Sequence, residues 1–347
     1  MLILGIETSC DETAAAVVEE TGDAARPWAI RSNVIASQAP IHREWGGVVP
    51  ELASRQHIRD ICGVVEHALH DANTTWRGFG AIAVTQGPGL VGSLLVGVSF
   101  AKAAAAAAGL PLIAVHHLAG HIESLVLQNG ELPLPSVVLV VSGGHTSLYL
   151  VDRPGRYQRL SRTRDDAAGE AYDKVAKLLG LGYPGGPVVD RLARDGNDRA
   201  IPLPTTRLTH ADRNAPELKG DLDFSFSGLK TAVARYVRGT GASHPPLVAD
   251  ICASFQRVVV TALVNRVFDA ARRCHAKSIG VAGGVSANSR LRADLQMHGE
   301  RREIPTFLPS LQLSTDNAAM IAAAGLRKFR AGLTAPPDLN ADPALVL

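Results

Sequence analysis

The sequence predicts an α/β protein built from two related domains, and three observations carry that expectation. First, residues 2–6 form an apolar run that ends in a cluster of hydroxyls and carboxylates before the chain returns as a second apolar run; residues 136–141, Ser142-Gly-Gly-His-Thr146 and residues 147–151 repeat the pattern. Second, each hairpin is followed by a strand and a Gly-rich turn that opens a helix. Residues 81–85 lead into Gly87-Pro-Gly-Leu-Val-Gly92, and residues 277–282 lead into Gly283-Gly284. Third, 347 residues is a length for two domains. The echo points to two similar domains facing each other across a cleft.

Along the chain, residues 30–37 read as a third strand, and Gly46-Gly47-Val-Val-Pro50 opens a long amphipathic helix to about residue 69. Residues 93–108 are rich in Gly, Ser and Ala, so that helix can pack close to a sheet. Residues 110–115 read as a buried strand, and a helix starts at His117. Residues 202–223 are polar and carry prolines, a surface insertion. A helix over about 316–329 is expected to cross back onto the first domain. The domains are therefore 1–115 with about 310–347, and 116–309 with the insertion near 198–225.

Composition narrows the function. Lys and Arg total 35 against 33 Asp and Glu, and a net charge of +2 does not by itself argue for nucleic-acid binding. Cys10, Cys62, Cys252 and Cys274 are scattered with no CxxC pair, as expected of reduced thiols in the cytoplasm. The N-terminus lacks a basic leader pattern, and residues 81–115 are interrupted by Gln86, Pro88, Lys102 and Pro111, so no membrane association is expected.

His117 and His121 are four residues apart, which on a helix puts both imidazoles on one face, one turn apart. That spacing suits one divalent metal, and a satisfied buried pair is the competing reading. His116 points roughly 100° away and stays outside the set. In Leu313-Ser-Thr-Asp-Asn317, Thr315 or Asp316 could cap the following helix. Asp316 could instead complete a two-His, one-carboxylate set that suits Fe(II), with Zn or Mn also possible. The Gly-rich turns at Gly87/Gly89/Gly92, Gly143/Gly144, Gly185/Gly186 and Gly283/Gly284 favour a bound nucleotide, although none has P-loop or Rossmann spacing. Asp173 and Asp190 could accept hydrogen bonds from a ribose or an amine. Asp165 and Asp166 fit a helix N-terminus. Asp11 and Glu12, on the first hairpin tip, could hold a cation, act as a base, or be solvated. Arg153, Arg156, Arg159, Arg162 and Arg164 could track a phosphate backbone or be ordinary surface arginines.

Eight motifs occur in one order: Glu7-Thr-Ser-Cys-Asp-Glu-Thr13, Gly87-Pro-Gly-Leu90, Val115-His-His-Leu-Ala-Gly-His121, Val141-Ser-Gly-Gly-His-Thr146, Asp166-Ala-Ala-Gly-Glu-Ala-Tyr-Asp-Lys174, Tyr183-Pro-Gly-Gly186, Asp223-Phe-Ser-Phe-Ser-Gly-Leu-Lys230 and Gly283-Gly-Val-Ser-Ala-Asn288. From residue 2 to about 329 the chain resembles the universal tRNA N6-adenosine threonylcarbamoyltransferases, formerly called glycoprotein endopeptidases. The resemblance implies two duplicated actin-like domains, as in sugar kinases and heat-shock chaperones, with a nucleotide cleft between them. It implies transfer of a threonylcarbamoyl group from threonylcarbamoyl-adenylate to the tRNA adenosine just 3′ of the anticodon. Position by position, it implies His117, His121 and Asp316 as ligands of a metal, typically iron. It implies Val141, Ser142, Gly143, Gly144, Asp173, Gly186, Asp190 and Asn288 as nucleotide and substrate contacts, and Glu12 as an acidic residue that takes part in catalysis. It further implies work in a complex, in bacteria with a degenerate paralogue and a small P-loop ATPase.

Two enzyme alternatives are a kinase or ATPase on the same fold, which would not need the His-His-Asp set, and a metallopeptidase. The second lacks HExxH, since Leu118 stands where a Glu should follow His117. A nucleotide-binding assembly protein is the non-enzymatic alternative.

Overall fold

The computed structural model describes residues 1–205, 208, 218, 220–240 and 245–347. In chain order the elements begin β1 (Leu2–Glu7), β2 (Glu12–Glu20), β3 (Trp28–Ser37), α1 (Ala39–Arg43), α2 (Pro50–Asp71), β4 (Phe79–Gly87), α3 (Val91–Ala108), β5 (Leu112–His116) and α4 (His117–Asn129). They continue with β6 (Ser136–Val141), β7 (Thr146–Arg153), β8 (Arg156–Arg162), α5 (Ala168–Leu178), α6 (Gly185–Ala193), α7 (Ser227–Thr240) and α8 (Pro245–Arg273). The last are β9 (Ser278–Ala282), α9 (Ser289–Arg301), β10 (Thr306–Phe307), α10 (Leu311–Ser314) and α11 (Ala318–Arg330).

Two five-stranded sheets form, in the orders β3-β2-β1-β4-β5 and β8-β7-β6-β9-β10. In each, an antiparallel hairpin is joined through its first strand to two parallel strands. The internal echo in the sequence is therefore a duplicated sheet topology. The chain divides into Met1–Leu132 with Arg153–Tyr157 and Pro309–Leu347, and Pro133–Asp152 with Gln158–Leu308. The expected boundary at 115 thus moves one helix later. The physical reason is that α4 packs in the first core: a Cβ on Gly120 would lie 2.8 Å from Ile321 and 3.1 Å from Met320 of α11. The helix expected at about 316–329 is α11, and it lies on the first sheet as anticipated. The surface insertion near 198–225 lies in part outside the described residues.

The first sheet is buried on both faces because its strands alternate apolar side chains to either side. Ile3, Ala81, Ala83, Ile113 and Val115 pack with α11. Leu4, Ile6, Ile82 and Val84 pack with Ile61, Val65 and Ala68 of α2 and Val98, Ala101 and Ala105 of α3. In the second unit Val137, Leu139, Ile279 and Val281 join Tyr172, Phe255, Val259 and Leu263 in one core. By length and composition α3 and Val248–Arg273 of α8 could cross a bilayer, but the faces just named pack them into these cores.

Small residues set the helix–sheet spacing. A Cβ on Gly5 would lie 2.3 Å from the Ala318 carbonyl and 2.8 Å from Ala322, and one on Gly325 would lie 2.4 Å from Ala83. Both neighbours belong to rigid elements, so a methyl group there forces α11 off the sheet. Gly63 in α2 has open space instead. Gly5→Ala should therefore cost about 1–3 kcal/mol, while Gly63→Ala should stabilise by about 0.5–1 kcal/mol through the unfolded chain. Thermal unfolding checks both, and equal midpoints for the two variants would contradict the close approach.

Candidate functional site

In the first unit the site is built where β5 ends. His116 is the N-cap of α4, its Nδ1 accepting a hydrogen bond from the Leu118 N–H at 3.1 Å. The next residues on that helix, His117 and His121, bring their rings to 4.7 Å between centroids. Asp316 arrives from just before α11. The cap of α11 is Asn317, whose Oδ1 accepts the Met320 N–H at 3.0 Å, so neither Thr315 nor Asp316 has that role. Asp316 Oδ1 lies 3.2 Å from His121 Nε2 and 3.6 Å from His117 Nε2. One donor atom from each residue falls within 4.8 Å of the others.

Three observations bear on whether these residues fit a metal. His121 Nδ1 is buried with no hydrogen-bond partner, an expensive state for a polar atom, and the equally buried Nε2 faces the Asp316 carboxylate at 3.2 Å. His117 Nδ1 is held by Glu7 Oε2 at 2.9 Å and Ser9 Oγ at 3.1 Å. That leaves His117 Nε2 toward Asp316, the arrangement in which a carboxylate behind a histidine orients it as a ligand. The charge balance points the same way. Burial alone would lower the His117 pKa, but Asp316 and Glu7 outweigh it and lift it to about 9, whereas burial keeps that of His121 below its ordinary value. A pocket that gathers carboxylates and holds a histidine proton so firmly is one a cation can occupy in its place. The donor set fits.

Glu7 was not singled out by sequence reasoning. It ends β1 with no solvent exposure and accepts hydrogen bonds from Thr85 Oγ1 at 2.8 Å and from the Ser9 N–H. The only sequence signal is a carboxylate closing an apolar strand. Glu12 opens β2 rather than sitting at the apex of the tip, and is partly exposed. Burial, then the neighbouring carboxylate of Asp11, then that of Asp316, push its carboxyl well above the usual range. The tip is pinned from α2: His57 Nδ1 is 2.7 Å from Thr13 Oγ1, and its Nε2 is 3.0 Å from the Cys10 carbonyl.

The second unit gathers the expected nucleotide contacts around its own sheet. Val141 is fully buried, so only its backbone is available. The turn after it is closed by the Ser142 N–H donating to the His145 carbonyl at 2.8 Å, and the positions a Cβ would take on Gly143 and Gly144 are open. Gly186 and Gly284 are open too, whereas Gly283 has φ +95° and a Cβ there would lie 2.4 Å from the Val141 carbonyl. Asp173 Oδ1 accepts the Gly185 N–H at 2.8 Å and so fastens the start of α6 to α5. Asp190 accepts from Ser289 Oγ at 2.8 Å, and Asn288 caps α9 through the Leu291 N–H at 2.9 Å.

Other expectations change. Gly87 and Gly89 are not a phosphate cradle: a Cβ on Gly87 would lie 1.8 Å from the Asp342 carbonyl, and one on Gly89 would lie 2.5 Å from the Ser9 carbonyl. The chain's own backbone fills that space. Asp165 receives Ser225 Oγ, Ser227 Oγ and the Phe226 N–H, and Asp166 receives Lys174 of α5 and Lys230 of α7, so both carboxylates fasten the start of α7 to the segment before α5 rather than serving a helix dipole alone. Arg164 is engaged by Asp223 at 2.9 Å rather than presented to a phosphate chain.

A family model described as TsaD, tRNA N6-adenosine threonylcarbamoyltransferase, matches residues 29–323. Proteins of that name from Anaeromyxobacter dehalogenans (strain 2CP-C) and Moorella thermoacetica are each 52% identical, over 343 and 347 residues. Those alignments cover 99% of this chain and 98% and 97% of the relatives. The chain belongs to the tRNA N6-adenosine threonylcarbamoyltransferase family. It is therefore a transferase that modifies tRNA. Among solved structures, the activator of 2-hydroxyisocaproyl-CoA dehydratase from Clostridium difficile is similar, with a TM-score of 0.51 at 12% identity, covering 96% of this chain and 97% of that one. T. kodakarensis HypF gives a TM-score of 0.59 at 14% identity, covering 95% of this chain and 48% of that one. These likenesses carry the fold, two actin-like α/β domains.

For this transferase the geometry makes a graded prediction. His117→Ala and Asp316→Ala should each lose bound metal, Glu7→Gln should weaken metal affinity about 10–100-fold, and His116→Ala should keep most of it. Elemental analysis of folded protein, with chelator competition for the Glu7 variant, reads all four. Full metal in the His117→Ala protein would contradict the ligand set.

Proposed function

We propose that this transferase takes its threonylcarbamoyl group from threonylcarbamoyl-adenylate and passes it to N6 of the adenosine just 3′ of the anticodon in tRNAs reading A-starting codons, with AMP leaving. His117, His121 and Asp316 would hold one divalent cation, iron first, with zinc and manganese also suited to the donors. The chemistry such a cation supplies is Lewis acidity toward a carbonyl. The observation that carries the reading is the convergence of one donor atom each from His117, His121 and Asp316 within 4.8 Å of one another, with both ring nitrogens of His121 buried.

The remaining work falls to the chain's own groups. Glu7 and Ser9 keep the His117 ring from turning by holding Nδ1. Backbone N–H groups of Gly143 and Gly144 and those near Gly186 would cradle the adenylate phosphate, with Ser142 closing the turn that presents them. Asp190 and Asn288 would face its ribose and base, with Asp173 holding the Gly185 turn in place. The exocyclic amine of adenosine is a weak nucleophile because its lone pair is delocalised into the ring, so orientation must supply much of the rate. Glu12 would accept the amine proton as the new C–N bond forms. Its raised pKa makes the ionised carboxylate a stronger base than a solvated one. A degenerate paralogue and a small P-loop ATPase complete the proposed assembly, in the cytoplasm.

Separating chemistry from binding tests the role of Glu12. Glu12→Gln should bind threonylcarbamoyl-adenylate with near-native affinity and hold its metal, yet transfer to tRNA about a hundredfold more slowly in single turnover. A parental rate would reduce Glu12 to a solvated acid. Lost adenylate binding with the fold intact would make it a binding group, and the proton would need another acceptor.

A further inference from the structure

Gln256 lies mid-way along α8, in the apolar stretch Cys252-Ala-Ser-Phe-Gln256, and is only 4% exposed. No motif selects it. Its side chain nevertheless joins the two carboxylate and amide groups that the adenylate reading relies on in the second unit. Gln256 Nε2 donates to Asp190 Oδ1 at 3.0 Å, and Gln256 Oε1 accepts from Asn288 Nδ2 at 2.7 Å and from the Tyr172 hydroxyl at 3.4 Å. Side chains from α5, α6 and α8 and the cap of α9 thus meet at one amide.

The direction of these bonds is not arbitrary. The free N–H of Leu291 at the start of α9 must be satisfied, and Asn288 Oδ1 accepts it at 2.9 Å. Asn288 can then offer only its Nδ2 inward, which requires an acceptor, and Gln256 Oε1 is the nearer of two, at 2.7 Å against 3.4 Å for the Tyr172 hydroxyl. With its oxygen used, Gln256 has only Nε2 left for Asp190, which suits an ionised carboxylate. The helix cap therefore sets the sense of a relay that runs Leu291, Asn288, Gln256, Asp190. Gln256 Nε2 and Ser289 Oγ both use Oδ1 of Asp190, whereas Oδ2 has the Ser289 N–H at 3.3 Å and the Arg194 guanidinium at 3.6 Å. Oδ2 is the oxygen with capacity for a ligand hydroxyl.

We propose that Gln256 is a positioning residue of the transferase, locking Asp190 and Asn288 into one donor–acceptor arrangement before the adenylate binds; the inference rests on the adenylate reading given above. It touches no substrate itself. Replacing it by an apolar side chain of similar volume keeps the packing but leaves a carboxylate oxygen and an amide N–H each short of a partner.

The test titrates AMP by calorimetry into the full metal-loaded chain. Gln256→Leu should weaken AMP about tenfold, and Asn288→Ala at least as much. The double variant should lose clearly less than the product of the two, because coupled residues are not additive. Gln256→Glu, which keeps the acceptor for Asn288 but faces Asp190 with a like charge, should weaken AMP in the same direction and covers the case where the leucine variant does not fold. Metal content should stay at the parental level, and Val259→Ala, a core change on the same helix, should leave AMP affinity unchanged at a comparable loss of stability. Parental affinity in the folded Gln256 variants, fully multiplicative losses, or equal weakening in Val259→Ala would each overturn the proposal. If Asn288→Ala also bound AMP like the parent, the adenylate assignment would fall with it. If only the Gln256 variants did, the assignment would stand and the positioning role would not.

Discussion

The contact on which the first unit's chemistry depends is that between Glu7 and His117. A carboxylate with no solvent exposure is costly unless every lone pair is used, and Glu7 is met by the Thr85 hydroxyl, the Ser9 N–H and His117 Nδ1. Those donors come from β4, the hairpin tip and α4, so three separate parts of the chain are held to one point. The consequence for His117 is a fixed ring whose second nitrogen faces Asp316. Without Glu7 the histidine pair would remain at helical spacing but lose its aim.

Asp316 depends on a different constraint, the close approach of α11 to the sheet. Gly5 and Gly325 leave no room for a side chain, and Ala318, Ala322 and the other small residues of α11 let the helix settle directly on β1 and β4. Asn317 then caps the helix, and Asp316 is turned to the histidines. Packing density in the core and the placement of Asp316 at the rim are thus one arrangement seen at two ends of the same helix. In the second unit close approaches at Gly185 and Gly283 are joined by polar bonds among Asp190, Asn288 and Gln256.

Much of this was legible in the sequence because the signals are local. Period-two runs marked the hairpins, i to i+4 spacing put His117 and His121 on one face, and the repeated strand–glycine–helix pattern marked the duplication. What was not legible depends on distant partners. Glu7 reads as the end of a strand until Thr85 and His117, 78 and 110 residues away, are seen beside it. Gln256 reads as a stray polar residue in a core helix. Asp316 and Asn317 are both good capping residues, and only the backbone decides that Asn317 caps. Gly87 and Gly89 look like a phosphate loop until the tail around Asp342, silent in the sequence, is found filling the space at Gly87 and Ser9 that at Gly89. The boundary placed at residue 115 failed for the same reason: α4 follows a strand end, but its partner is α11, some 200 residues on.

The central claim is that the His117–His121–Asp316 pocket holds a cation that transfer requires. The most direct measurement is nucleoside analysis, by liquid chromatography and mass spectrometry, of tRNA incubated with threonylcarbamoyl-adenylate, the candidate partners and the chain before and after chelator treatment. The account predicts N6-threonylcarbamoyl-adenosine from the untreated and metal-reloaded chain and none above background from the stripped one. Undiminished product from the stripped chain, with its metal shown to be gone, would contradict it.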